Sequence, residues 1–135
     1  MGPAPNAYLY AMLGSALGGG ARLYLSTLVA RGLGTSFPWG TLAVNVLGSA
    51  LIGLLAGLSD SARMPLSADV RGFLMVGVMG GFTTFSSFSL QTLTLAQDGD
   101  WLRAGGNVAA SVAGCLAAVW LGGLVGAQFN AANGG

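Results

Sequence analysis

Histidine and glutamate are absent from this 135-residue chain, and cysteine occurs once. The only acids are Asp60, Asp69, Asp98 and Asp100, and they stand between apolar runs rather than within them. Without an imidazole or a buried carboxylate no credible acid–base or nucleophilic set remains, which excludes an enzyme. The lone Cys115 permits no intramolecular disulfide and no thiolate cluster for a metal, and reads as a small apolar residue in a helix. Charge is scarce as well. At 7% charged residues and a net charge of +1 there is no basic stripe to recommend nucleic acid as a partner.

Apolar residues fill the space that the absences leave. They make up 53% of the chain and give a mean hydropathy of +0.71, far from soluble averages. Residues 35–59, 72–97 and 104–135 carry no charge, and the first apolar segment is interrupted only by Arg22. Each run is long enough for one membrane span of roughly 20 residues. The expectation is an all-α membrane protein, a single domain over residues 1–135, with spans at about 7–28, 40–58, 71–97 and 103–127. A cleaved leader is disfavoured: residues 1–21 hold no basic side chain, and the apolar pattern continues past Arg22.

Glycine occurs 24 times. Gly14 with Gly18, and Gly53 with Gly57, are GxxxG steps, and Ala109, Ala113 and Ala117 repeat small residues at the same interval. Such ridges let helix backbones approach closely in lipid. A compact bundle of four short helices encloses little interior, so a ligand path calls for a second subunit.

The third span is unlike the others. Its centre reads Gly80-Gly81-Phe82-Thr83-Thr84-Phe85-Ser86-Ser87-Phe88-Ser89, a glycine pair and five hydroxyls within a 26-residue charge-free run. Irregular or polar backbone at membrane depth survives only where protein or a watery cavity covers it. The nine residues from Arg71 to Met79 cover only about half of a ~30 Å hydrocarbon core. The helix is therefore expected to break at Gly80-Gly81, with Thr83 and Thr84 capping the second half. A break frees carbonyls, which suit a cation, and amide N–H groups, which suit an anion. An unbroken helix with a glycine packing face remains the alternative.

Past the break, Phe85 and Phe88 are three apart on one face, and Ser86 and Ser89 on an adjoining one. A phenylalanine pair at that spacing suits core packing, but electropositive ring edges can also meet a dehydrated anion while hydroxyls donate to it. Asn45, in the second span, could donate to an anion or bond to a neighbouring helix. Asn107, Ser111 and Cys115 form a stripe on the fourth span. Three spans bring uncharged donors inward, and none brings a carboxylate.

Charge fails to orient the chain. Arg63 and Arg71 lie in the second loop and Arg31 and Arg103 on the opposite side, with Arg22 toward the far end of span one. Orientation follows an excess of basic residues in cytoplasmic loops, and here there is little excess. Insertion in both directions, pairing as an antiparallel homodimer, is the expectation. A single orientation set by weaker signals is the alternative.

These residues resemble a known family. Gly19-Gly20-Ala21-Arg22, Pro38-Trp39-Gly40-Thr41-Leu42-Ala43-Val44-Asn45 and the motif from Gly80 to Ser89 are similar to the corresponding stretches of the Fluc fluoride channels. The resemblance covers all four spans, about residues 7–126. It implies an antiparallel dual-topology dimer in the bacterial plasma or inner membrane, with two pores that passively export fluoride. It also implies a central sodium ion held at the third-span breaks by the backbone carbonyls of Gly80 and Thr83 from each subunit. Asn45, Phe85, Phe88 and Ser111 match pore-lining positions, and Ser86 and Ser89 are further donors beside them. Gln91, Asn107 and Cys115 depart from the residues common there, Glu, Tyr or His, and Ser.

Neutral donors fit such an ion, because a site made of arginines would bind fluoride too firmly to release it. Arg22 is accordingly read as a vestibule charge or a partner for backbone carbonyls. A small multidrug-resistance exporter, the nearest alternative, calls for an intramembrane acid that this chain lacks. A non-transporting scaffold would leave the donors on three spans without a purpose.

Overall fold

A computed structural model describes residues 2–60 and 66–133, all of its regular structure helical. α1 (Pro5–Leu33) starts with proline in its first turn, where a missing N–H costs nothing. It stops at Gly34, whose φ of 85° favours glycine and whose N–H returns to the Ala30 carbonyl at 2.8 Å. α2 (Trp39–Ser59) runs back along it. The third pass is composite: α3 (Ala68–Arg71), a π-helical segment (Gly72–Met79), α4 (Gly80–Phe82) and, after two extended residues, α5 (Phe85–Gln97). α6 (Trp101–Ala132) follows a tight turn at Gly99, and the Asp100 carboxylate accepts from the Arg103 N–H at 3.1 Å to cap it.

Among the described residues the chain thus runs four times along the bundle, the third pass broken. The direction of each pass can be read from backbone approaches. Gly53 abuts the Val119 carbonyl, Gly122 the Ala50 carbonyl and Gly126 that of Leu54, so α2 and α6 are parallel neighbours in glycine-to-backbone contact. Gly14 and Gly18 meet the carbonyls of Phe73 and Val78 in the same way, laying α1 along the π-helical segment. Gly40 against Ser26 makes α1 and α2 antiparallel. The two GxxxG steps are therefore the contact faces they were expected to be. The Ala109-Ala113-Ala117 ridge is not: all three residues are exposed, and Gly122 and Gly126 take the role on α6.

The interior is small. Val44, Met79, Phe82, Phe88 and Ala104 are its buried apolar residues, whereas Leu17, Leu23, Trp101, Leu102, Leu116 and Trp120 are each more than half exposed. A helical surface so apolar is built for lipid. α2, the third pass (Ala68–Gln97) and α6 are long and apolar enough to cross a membrane. α1, at 29 residues, has the length, but Asn6, Ser15, its glycine triplet and Arg22 dilute its apolarity. Asn130 ties the ends of the parallel pair together by donating to the last carbonyls of α2, Gly57 at 2.7 Å and Leu58 at 3.1 Å. Arg63 falls outside the described residues, so its place in the charge balance is not described.

Candidate site at the helix break

The break lies three residues past its expected position. Gly80 has helical angles (φ −63°, ψ −37°) and Gly81 lies within α4, while Thr83 (φ −84°, ψ 158°) and Thr84 (φ −152°, ψ 111°) are extended. Gly81 has a packing reason to be glycine, because a Cβ there would stand 2.6 Å from the Ser15 carbonyl oxygen. Gly80 faces open space. Glycine permits a break but does not cause one, and the cause comes from another helix.

That cause is Asn45. Its Oδ1 accepts the Thr84 N–H at 2.7 Å, and its Nδ2 donates to the Thr84 carbonyl at 3.0 Å. Both residues are buried, 8% and 7% exposed. The side-chain amide thereby pairs with both main-chain polar groups of one residue, as a neighbouring strand would. The Thr84 N–H is the donor that a continuing helix would have given to the Gly80 carbonyl, so the clamp frees that oxygen. Helix resumes at once: the Thr84 hydroxyl accepts the Ser87 N–H at 3.2 Å and caps α5, as expected for one of the two threonines. Thr83 stays with the first half, its N–H and hydroxyl both reaching the Met79 carbonyl at 3.0 Å.

Two cavities flank this point. The larger, about 1310 Å³, is lined by Arg22, Arg31, Thr41, Ser87, Gln91 and Arg103, among others. The smaller is an open groove of about 440 Å³, where Asn45, Phe85, Phe88, Ser111 and Cys115 stand with Gly80 and Thr83. Thr84 borders both. Its hydroxyl donates to Ser87 Oγ at 3.1 Å and lies 3.3 Å from Ser86 Oγ.

The candidate residues are not all together. Asn45, Phe85, Phe88, Ser111, Gly80 and Thr83 share the groove. Ser86 and Ser89 line neither cavity; both are exposed, and the Ser89 hydroxyl donates to the Phe85 carbonyl at 2.9 Å. The two phenylalanine rings touch, centroids 5.2 Å apart and tilted by 50°, yet Phe88 is 8% exposed and Phe85 78%. Arg22 bonds a backbone carbonyl, that of Thr83, at 3.4 Å, which is one of the two roles anticipated for it.

Beside the groove runs a chain of hydrogen bonds. Ser111 Oγ donates to Asn107 Oδ1 (3.4 Å), Asn107 Nδ2 to Thr92 Oγ1 (2.9 Å), and Thr92 to the Phe88 carbonyl (2.7 Å). Thr92 and the junction role of Thr84 were not anticipated, although Thr84, Phe88 and Thr92 recur every four residues on one face. Gln91 Oε1 is buried without a hydrogen-bond partner at the wall of the larger cavity, the one such side-chain atom among the described residues.

A metal at this site would have to be held by backbone oxygen. Among the described residues no three His, Cys, Asp or Glu side chains cluster. The freed Gly80 carbonyl is a hard oxygen donor suited to a small hard cation, and Gly80 is on an exposed face; the Thr83 carbonyl already accepts from Arg22 and has one lone pair left to offer. Two carbonyls from one chain are too few ligands, so the fit depends on a second copy supplying two more.

Known proteins are similar to this chain over most of its length. Residues 9–123 match the family described as CrcB-like protein, Camphor Resistance (CrcB). A protein of Opitutus terrae named fluoride-specific ion channel FluC is 57% identical over 128 residues, 94% of this chain and 97% of that protein. Proteins of the same name from Paramagnetospirillum magneticum and Methylocella silvestris are 59% and 52% identical, over 85% and 91% of this chain and 91% and 95% of theirs.

Proposed function

We infer that this chain, which belongs to the CrcB-like protein family, is a fluoride channel of the bacterial membrane and not an enzyme. The observation that carries the reading to particular residues is the position of Thr84. It is the one residue shared by an arginine-bearing cavity and a groove lined by neutral donors, and Asn45 holds its peptide there. Fluoride efflux from liposomes containing the purified protein, compared with chloride efflux, tests this directly. Rapid release of both halides, or of neither, would overturn it.

A fluoride ion entering the larger cavity meets guanidinium charge, then the hydroxyls of Ser87 and Thr84. Beyond the junction it exchanges water for donors that hold no charge. The Asn45 amide spends one N–H on the Thr84 carbonyl and keeps the other. The Ser111 hydroxyl makes only a long 3.4 Å bond to Asn107 and can turn toward an ion. Ring edges of Phe85 and Phe88 add electropositive surface. Each contact is modest, so the ion can enter and also leave. Ser86 supports this set through Thr84 rather than by lining the path, and Ser89 stands outside it.

Four membrane spans and an antiparallel homodimer with two pores complete the reading. The groove is open on one side and edged by Phe85 and Leu116, each more than 60% exposed. A second copy inverted against it would close the groove into a path. The near balance of the arginines supports insertion both ways. Sodium at the centre would be held by the Gly80 and Thr83 carbonyls of both copies, and would supply positive charge that neutralises facing carbonyl dipoles.

Two results are expected. A reporter at the C-terminus should be found on both sides of the membrane, and two lysines added to one loop should confine it to one side and lower activity. Labelling of the unmodified chain on one side only would overturn dual insertion. Gly80→Val should abolish the dimer and its sodium dependence. Within one chain an added Cβ meets nothing and the backbone is helical, where valine is favoured over glycine by well under ~1 kcal/mol, so a single chain loses no stability. Normal dimerisation and transport by Gly80→Val would place the partner elsewhere.

A further inference from the structure

Two of the three arginines that line the larger cavity stand at different depths. Arg22 reaches the Thr83 carbonyl beside the junction, whereas Arg31 stands exposed in the last turn of α1. The nine-residue step between them is about 13 Å along the helix axis. Three further charges line the same cavity. Arg103 and Asp100 largely cancel, because their side chains form an ion pair at 2.9 Å. Asp98, exposed at the end of α5, has no ion-pair partner among the described residues, and neither has Arg31.

We propose that Arg31 is a collector for fluoride at the mouth of the cavity, and that Asp98 sets an opposing bias at the same mouth. The proposal deepens the channel reading and rests on it. Arg31 need not touch the ion. An anion approaching from water meets its field first and is passed toward Arg22, whose guanidinium stands beside the donors of the junction. Such a field acts on the rate at which dilute fluoride is captured, not on selectivity.

One unit charge some 10 Å from an ion in water changes its local concentration by about twofold, and low-dielectric cavity walls strengthen this. Screening removes it: the Debye length is about 30 Å at 0.01 M salt and about 3 Å at 1 M. The competing role for Arg31 is structural, as a cation against the carbonyl end of α1. That role would show as lost stability at either ionic strength.

The test is the initial rate of fluoride efflux from liposomes at sub-saturating fluoride, with the full chain. Sodium is held constant, and ionic strength is raised from about 0.01 M to about 1 M with an organic salt of an impermeant anion. Arg31→Gln should slow efflux about two- to fivefold at low ionic strength and match the parent at high. Asp98→Asn should speed it by a similar factor at low ionic strength only. An Arg31→Gln protein equal to the parent at low ionic strength overturns the proposal. So does a deficit that persists at high ionic strength with a lowered melting temperature. A parent that releases no fluoride at either ionic strength overturns the channel reading, and the collector with it.

Discussion

Asn45→Asp is expected to abolish fluoride efflux while leaving the bundle of α1, α2 and α6 in place. The Asn45 amide is used at both ends, accepting from the Thr84 N–H at 2.7 Å and donating to the Thr84 carbonyl at 3.0 Å. An ionised carboxylate keeps the first bond and loses the second, setting oxygen against oxygen at a buried position. The stranded Thr84 carbonyl alone costs about 1–3 kcal/mol. The new charge also faces the groove through which fluoride would pass. At about 5 Å and an effective dielectric near 20, the repulsion is about 3 kcal/mol, or roughly a hundredfold in rate. Asn45→Ala separates the two effects, since it removes both hydrogen bonds and adds no charge. It should lower the melting temperature about as much as the aspartate but retain more efflux, measured as initial rates normalised to folded protein. Parent-like conduction by the aspartate variant would remove Asn45 from both the clamp and the path.

The contrast between glycine and asparagine explains what could be read beforehand. Charge-free runs marked α2, the third pass and α6, because a lipid-facing surface needs apolar residues all round; α1 was marked in spite of Arg22, by the apolar residues on either side of it. The existence of a break was legible in the Gly80-Gly81 pair in mid-span, with the Thr83-Thr84 pair offering a cap beyond it. Its position was not. Gly80-Gly81 looked like the weak point, yet Gly81 is small because α1 lies 2.6 Å from where its Cβ would be. Thr84 leaves the helix because a side chain 39 residues away takes both of its main-chain polar groups. No local pattern carries that information. The π-helical turn of Gly72–Met79 was not anticipated either: Gly14 and Gly18 pack α1 against it, and nothing in the segment itself signals the wider turn. Spacing likewise showed that α6 has ridges of small residues without showing which ridge meets α2. The polar chain from Ser111 through Asn107 was visible as a stripe on α6, but its partner Thr92 belongs to α5 and needed the packing of the two helices to be found.

The two phenylalanines separate a pore from a packed core more sharply than sequence spacing alone allows. Phe88 is 8% exposed and Phe85 is 78%, although their rings are in contact. If both served packing within one chain, Phe88→Ile would cost less than ~1.5 kcal/mol, as near-isosteric apolar exchanges do, and Phe85→Ile almost nothing. Fluoride efflux would then survive in both. If ring edges meet the ion, both variants should fold and both should lose most of their efflux, because an aliphatic group has no quadrupole to replace the electropositive edge. The exposed position is the decisive one. Phe85→Ile changes little in the interior of its own chain, so a large loss there has to come from the ion path or from a second copy seated on the groove. Size-exclusion chromatography of each variant divides those two causes: a dimer that no longer conducts places the ring beside the ion, whereas a monomer places it in the interface. Two variants that remain dimeric and release fluoride as fast as the parent would show that the path does not run between these rings.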